Sequence, residues 1–402
     1  MRCIPKGCEI LKLSGCCDVR DGTHDSPKYV TNGYPLITSK NVKNGILDFE
    51  NINLISEEDF NSINKRSKVE NGDIIMPMIG TIGNPLVVET DREFAIKNVA
   101  LLKFDKKMLF NKYTYYFLKS PSFEHGLKKI NRGGTQKFIS LGDIRNIPIP
   151  LPPLSEQKRI ASILDQSDAI RRKRQQAIDK LNSLIPAIFY DMFGDPANNS
   201  KGWAKVRFGD LIAHLGDYHS NGSYQTLREN VTLLQSPDYA LMVRTTDLEK
   251  NNFTDGVKYI SEGAYNHLKK SQVFGGEIII NKIGSAGKVY LMPHLGRPVS
   301  LGMNQFMLNL SDKANNIYIY NYLTMPYGQY IISKRVRGAV TKTITKDAVR
   351  DLEILLPPND LQQEFLRKAN EIQKLKDKQE QSAVKDEALF NSLVQRAFKG
   401  EL

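Results

Sequence analysis

The chain has 402 residues, 41% hydrophobic and 25% charged, the make-up of a globular protein with room for two or three domains. No run approaches ~20 consecutive apolar residues, which excludes a transmembrane helix. The formal charge of +12 points to a polyanionic partner, because Lys and Arg gain free energy by releasing counterions condensed on phosphates.

The N-terminus, MRCIPKGCEILKL, lacks the apolar core and small-residue cleavage site of a signal peptide, so a cytoplasmic location is expected. All four cysteines, Cys3, Cys8, Cys16 and Cys17, lie here. They are expected as thiols rather than disulfides. Without a C-x-x-C pair, a zinc site with His24 is disfavoured and no metal is assigned. Residues 1–150 then form a first module. Its short β-rich runs, such as GDIIMPMIG and PLVVET, are punctuated by Gly, Asn and Pro, and a helical candidate, NKYTYYFLKSPSFEHGLKKI, is interspersed. That mixture predicts a compact α+β unit.

At Leu151 the run LPPLSEQKRIASIL opens a long helix, since proline is tolerated in a helix's first turn but not its interior. A heptad seam follows through Ile160, Ile163, Ser167, Ile170, Arg174, Ala177, Leu181, Leu184 and Ile188. Pro186 is expected to kink the helix one turn before its end. The segment FGDPANNSKGW closes this central region, 151–195, with turn-forming residues.

Residues 196–355 form a second module and 356–402 a second helix, because the chain is a tandem duplication. LPPNDLQQEFLRKA begins at Leu356, 205 residues after the first Leu-Pro-Pro. At the same interval Arg132 pairs with Arg337, Lys137 with Lys342 and Tyr34 with Tyr239. Near the start of each half the interval is 195: Cys8 pairs with Trp203, Leu13 with Phe208 and His24 with His219. Cys8 is therefore expected in the core position that Trp203 fills. About ten extra residues belong in a surface loop between His219 and Tyr239. The second seam, Phe365, Lys368, Ile372, Leu375, Gln379, Ser382, Asp386, Leu389 and Leu393, is apolar at its ends and polar in the middle. Neither helix can bury such a stripe alone, so each is expected to pack on the other. A helix of about 38 residues would run roughly 55 Å at ~1.5 Å per residue.

The motifs IPIPLPPLSEQKRIASILDQSD, FYDMFGDPANNSKGW, GDIIMPMIGTIGN and GTQKFISLGDIRNIPIPLPP closely resemble the specificity subunits of type I restriction–modification systems, over essentially the whole chain. The second copy departs from the pattern, with NDLQQ in place of LSEQK. The resemblance implies an α+β architecture. Two pseudo-symmetric mixed α/β target-recognition domains would be joined by two long helices forming an antiparallel coiled-coil spacer. Each domain would read one half of a split, asymmetric duplex DNA site. It implies further that two methyltransferase (M) and two restriction/translocase (R) subunits assemble around the chain. S-adenosylmethionine, ATP and Mg²⁺ would then be held by those partners and none by this chain. No membrane partner is implied. Two other readings are a specificity chain serving a fused methyltransferase–nuclease, and a coiled-coil adaptor whose modules bind protein or RNA.

Catalytic signatures are missing. The Pro-Pro pairs read LPPL and LPPN, not the Asn/Asp-Pro-Pro-Tyr/Phe run of an adenine methyltransferase. Pro237-Asp238 is not followed by the acidic-x-Lys triplet of a Mg²⁺ nuclease. Gly287-Lys288 is followed by Val289, and Lys282 stands where a Walker A loop needs its first glycine. No chemistry is assigned to the chain, and IGTIGN and IGSAGK read as tight inter-strand turns.

Base edges favour Arg, Lys, Asn and Gln, whereas phosphates favour Lys, Arg, Ser and Thr. Loop positions of these types are the DNA-binding candidates. In the first module they are His24, Ser39, Lys40, Asn41, Thr81, Asn84, Arg132, Thr135, Gln136 and Lys137; in the second, His219, Arg244, Thr245, Ser285, Lys288, Arg337, Thr341 and Lys342. The run Arg171–Arg174 on the spacer helix is either a solvated face or a contact with DNA backbone or an acidic methyltransferase surface. If the helices act as spacer, inserting whole helical turns after Ser167 changes the gap between half-sites. Methylated-motif sequencing would show this; an unchanged gap would refute it.

Overall fold

The computed structural model describes residues 8–43, 45–80, 82–104, 108–130 and 138–402. They form two compact units: Met1–Gln176 with Glu380–Leu402, and Ala177–Gln379.

In the first unit a short antiparallel pair, Glu9–Lys12 with Pro148–Leu151, ties the module's start to its end. The main sheet is antiparallel, in the order Asp18–Asp21, Val99–Lys103, Ile74–Pro77, Leu86–Val87. A second sheet runs Ala95–Ile96, Tyr34–Ile37, Asn53–Ile55, Tyr29–Val30, with its first pair parallel. The unbroken apolar runs follow from this layering, because the main sheet is covered on both faces. Ile74, Met76, Ala100 and Leu102 enter the core beneath the helices. Ile75, Val99 and Leu101 enter the core shared with the second sheet.

The second unit repeats the plan. Ala204–Arg207 pairs with Glu353–Leu356. The main sheet is Ile212–Asp217, Gln305–Leu310, Ile278–Asn281, Val289–Leu291, and the second is Lys258–Ile260, Ala240–Val243, Val299–Leu301, Gln272–Val273. Leu13 and Phe208, paired from the sequence, are both fully buried. Cys8 and Trp203 are each only half-buried, so the expected core position is a margin. There Trp203 Nε1 donates to the Phe193 carbonyl at 2.8 Å. Cys8, Cys16 and Cys17 form no disulfide.

The central helix spans Leu154–Phe193 and the C-terminal helix Asn359–Lys399. In the first unit, Ile160, Ala161 and Leu164 share a core with Phe390, Val394 and Ala397. Across this pair Arg171 bonds Glu387, and Arg174 bonds Asp386 at 2.9 Å. Arg171 also caps the Phe390 ring at 4.3 Å and, like Arg172, bonds Asp168. Three of the four residues in the basic run are thus engaged within the unit. In the second unit, Phe189 and Phe193 pack on Phe365.

The heptad register needs correction. Ile170, Leu184, Leu375 and Leu389, expected in the seam, are 51%, 42%, 53% and 55% exposed. Ile160, Phe365 and Ile372 are buried as expected, and Ile163, Leu181, Ile188 and Leu393 are half-buried. The buried positions of the central helix are Gln157, Ile160, Ala161, Leu164, Ser167, Asp168, Ile178, Phe189 and Phe193, so Ser167 of the expected seam is buried as well. Burial at Ile160, Leu164, Ser167 and Asp168 marks the i, i+4, i+7, i+8 face, so the seam positions Ile163 and Ile170 lie beside the buried face from its first turn. The helix also continues seven residues, almost two turns, beyond Pro186.

The Leu-Pro-Pro motif carries a joint that proline alone does not reveal. Gln157 is fully buried. Its oxygen accepts from the Phe110 amide at 2.8 Å, at the start of helix Asn111–Leu118, and its nitrogen donates to the Met108 and Pro152 carbonyls. Gln362, 205 residues on, accepts from the Asn315 amide and donates to the Pro357 carbonyl. Tyr113 and Tyr318 repeat the device, donating to the Pro150 and Leu355 carbonyls. Each glutamine fixes the long helix to its own module. Gln157→Ala should lower the first unit's stability by about 1–3 kcal/mol by orphaning buried backbone groups. Gln362→Ala should do the same in the second. Hydrogen-exchange mass spectrometry resolves the units; unchanged protection would refute the joint.

Candidate nucleic-acid interface

At one edge of the second unit's main sheet the ends of Ile212–Asp217 and Ile278–Asn281 flank the start of Gln305–Leu310. In the second unit Asp217 closes strand Ile212–Asp217 and is buried. Lys346 Nζ lies 2.9 Å from one carboxylate oxygen, Lys282 Nζ 3.3 Å from the other, and the Ser220 hydroxyl donates at 2.5 Å. Both ammonium groups stand over the Phe306 ring. Burial opposes the charge on Asp217, but Ser220 and the two lysines overcome it and hold the pKa at about 2. Asp217 is thus ionised at neutral pH and faces the two lysine side chains.

Backbone bonds stitch two loops beside it. The Lys282 amide donates to Asn304, Ile344 to Lys282, and Gly284 to Lys342. Arg337 and Thr343 bond each other reciprocally at 2.8 Å, closing the VRGAVTK loop, whose Val340 is almost fully exposed. Gly284 and Gly287 have φ of 82° and 86°, and Gly80 and Gly83 of 81° and 82°. The paired glycines of IGSAGK and IGTIGN therefore share the left-handed backbone that a tight turn requires. A β-carbon on Gly287 would also meet Ile332 at 2.4 Å.

In the first unit Asp21 occupies the corresponding strand end and is buried. Here the partners differ. His24 Nε2 lies 2.9 Å from Asp21 and Nδ1 2.8 Å from the Asn98 oxygen, while Arg66 bonds the other Asp21 oxygen at 2.6 Å. With both ring nitrogens facing acceptors, the bonds to Asn98 and Asp21 raise the His24 pKa above its ordinary value.

This register corrects the pairing of His24 with His219. Asp21 lies opposite Ala100, and Asp217 opposite Phe306. A β-bulge between Ile212 and His214 adds one residue to the second copy, moving the interval to 196. The counterpart of His24 is Ser220, and each is tied to the aspartate three residues before it. His219 is exposed beside the Tyr218 ring.

The remaining candidates divide. Thr81, Arg132, Thr135, Gln136 and Lys137 lie outside the described residues. Asn84, Lys40, Ser285, Lys288, Arg337, Thr341 and Lys342 are exposed, and Ser39 and Thr245 half-exposed. Asn41 is buried, its side chain bonding Thr38, Asp48 and Asn51 in its own loop. Arg244 is held by two bonds to Asp247 and one to the Gly256 carbonyl, so it braces the helix Thr245–Lys250. Ser285 donates to Glu249, and Lys288 lies 3.8 Å from the same carboxylate. Sequence reasoning missed Lys282, Lys346 and Arg66. The first two were detectable as departures between copies, for they stand where the first copy has Met78 and Leu141. Among the described residues no group of three His, Cys, Asp or Glu side chains could hold a metal, and no helix is long and apolar enough to cross a membrane.

The family model described as "Type I restriction modification DNA specificity domain" matches twice, over residues 5–181 and 200–390. The type I restriction enzyme MjaIX specificity subunit of Methanocaldococcus jannaschii is 24% identical over 395 residues, covering 90% of this chain and 86% of that protein. The crystal structure of the type I restriction–modification S subunit from M. genitalium is similar in fold, with a TM-score of 0.58 at 15% identity over 97% of this chain and 96% of that one. A chain from a study of complex assembly and conformational transition of the type I R-M system gives 0.57 at 16% identity, with full coverage of both chains.

The Asp217 cluster has a signature in acid. A carboxylate held at about 2, below its ordinary 3.8, contributes stability above pH 4 that is lost as pH falls toward 2. For this buried group the loss is on the order of 2 kcal/mol. His24 has the opposite sign: its contribution is full below its ordinary pKa and disappears as pH rises through the raised value. Asp217→Asn should flatten the acid limb of the second unit's unfolding in urea melts between pH 5 and 3; an unchanged limb would refute the assignment.

Proposed function

The chain belongs to the type I restriction–modification DNA specificity family, and from that premise we propose that it selects a bipartite duplex DNA site, one half-site at the strand-end edge of each unit. The observation that carries this is the duplicated aspartate position with different partners. A shared buried carboxylate fixes the scaffold, while the surrounding side chains, His24 and Arg66 in one copy and Lys282 and Lys346 in the other, can diverge with the half-site. Phosphate contacts position a protein on DNA and base contacts specify sequence, so such a division suits two unlike targets. The surplus of positive charge supports the same partner.

In this reading the chain performs no catalysis. Methyltransferase and restriction subunits assemble on it and hold S-adenosylmethionine, ATP and Mg²⁺. The family membership supports this division of labour, as does the lack of methyltransferase, nuclease and nucleotide-binding motifs in the sequence.

Exchanging residues 1–150 for those of another family member should change one half of the methylated motif and leave the other; a change in both or neither would refute the proposal. Lys282→Gln and Lys346→Gln should each weaken binding to the second module's half-site and reduce the salt slope by about one. Titration of the assembled methyltransferase on duplex at several salt concentrations measures this.

A further inference from the structure

The second module has a cavity of about 340 Å³ at its strand-end edge, lined by Tyr218, Leu233, Met242, Met303, Asn304 and Thr246 among others. That volume falls within the range of small-ligand sites, and the mix of apolar wall and few polar groups is typical of them. Tyr218 is buried, whereas Leu233 and Met303 are half-exposed and stand at the mouth. Beneath it the Gln305 carboxamide, oriented by its neighbours, donates to the Val243 carbonyl and accepts from the Thr245 amide, tying the two sheets together. Tyr218 directly follows Asp217, and the Asn304 carbonyl accepts from Lys282. The cavity thus adjoins the paired lysines.

The first module keeps Asn98 at the place of Asn304 but differs at Tyr218, Met303 and Leu233. Tyr218 corresponds to Gly22, where a β-carbon would meet the Ile96 carbonyl at 2.1 Å, so backbone closes the space. Met303 corresponds to Lys97, in register with Asn304 and Asn98. Leu233 belongs to the segment by which the repeat interval widens from 196 at Ser220 to 205 at Tyr239. The insertion therefore supplies a wall to a site that the other copy lacks.

We propose that this cavity receives one nucleobase of the second module's half-site, unstacked from the duplex and seated against the Tyr218 ring. The inference rests on the DNA-reading function above. A base offers a planar π face to the tyrosine and the methionine thioethers, and an edge that Asn304 and Thr246 can hydrogen-bond. Stacking on an aromatic side chain is worth about 1–3 kcal/mol per base and offsets part of the cost of unpairing. The adjoining lysines suit the phosphate flanking an extruded nucleotide.

The test is a mismatch scan of that half-site with the full chain in its methyltransferase complex. A base already unpaired costs less to extrude, so a mismatch at one position should tighten binding about ten-fold. An abasic nucleotide at that position should not reproduce the full gain, because nothing stacks on Tyr218. Met303→Trp, which fills the mouth, and Tyr218→Leu, which removes the stacking face, should each abolish the mismatch gain. The proposal is overturned if no position of the half-site gains from a mismatch, if the abasic site gains as much, or if both variants keep the gain. If instead no duplex sequence is preferred at all, the DNA-reading function itself fails.

Discussion

Phe398, close to the end of the C-terminal helix, packs against Phe117 and Tyr113 of the first module at ring distances of 5.4 and 5.2 Å. With Phe390, Val394 and Ala397 it completes a core that the first 176 residues leave open. The constraint behind this contact is the long apolar stripe: a helix of 40 or 41 residues cannot bury one face alone. The second unit solves the same problem with Phe189, which meets Tyr318 and Tyr322. Phe189 and Phe398 follow matching Asn-Ser-Leu triplets in the two helices, so the duplicated chain uses one packing solution twice. The first module's core therefore includes contacts of very high sequence separation.

Within each unit, few bonds join the module to its helix. The buried glutamines attach each long helix to the start of a shorter helix of its module, and the tyrosines attach that shorter helix to the strand leading into the long one. That sheet, apolar on both faces, carries its strand ends at a defined place. Conserving this scaffold between copies leaves the strand-end side chains able to vary without loss of core. The variation is visible: a histidine and an arginine serve one aspartate, two lysines and a serine the other. The inserted loop and Tyr218 extend it by opening a cavity where the first copy has closed backbone.

Not every polar loop residue belongs to that variable surface. Asn41 and Arg244 have the chemistry of DNA contacts, yet their side chains are spent on bracing their own turns. Lys282 and Lys346 stood at positions that are apolar in the other copy, a difference more informative than residue type alone.

Much was determined by the sequence itself. The duplication, the two modules, the Leu-Pro-Pro helix starts and the Gly80/Gly83 and Gly284/Gly287 turns were legible because each rests on local backbone chemistry or on self-comparison. Tertiary structure alone decided the rest. The buried helix face follows the true helical period and the arrival of aromatic partners from far along the chain, so the heptad count missed Leu164, Phe189 and Phe390. A single-residue bulge in Ile212–Asp217 decided that His24 answers to Ser220 and not to a second histidine. The lysine pair and the Tyr218 cavity join residues separated by tens to more than a hundred positions, and only the sheet register brings them together.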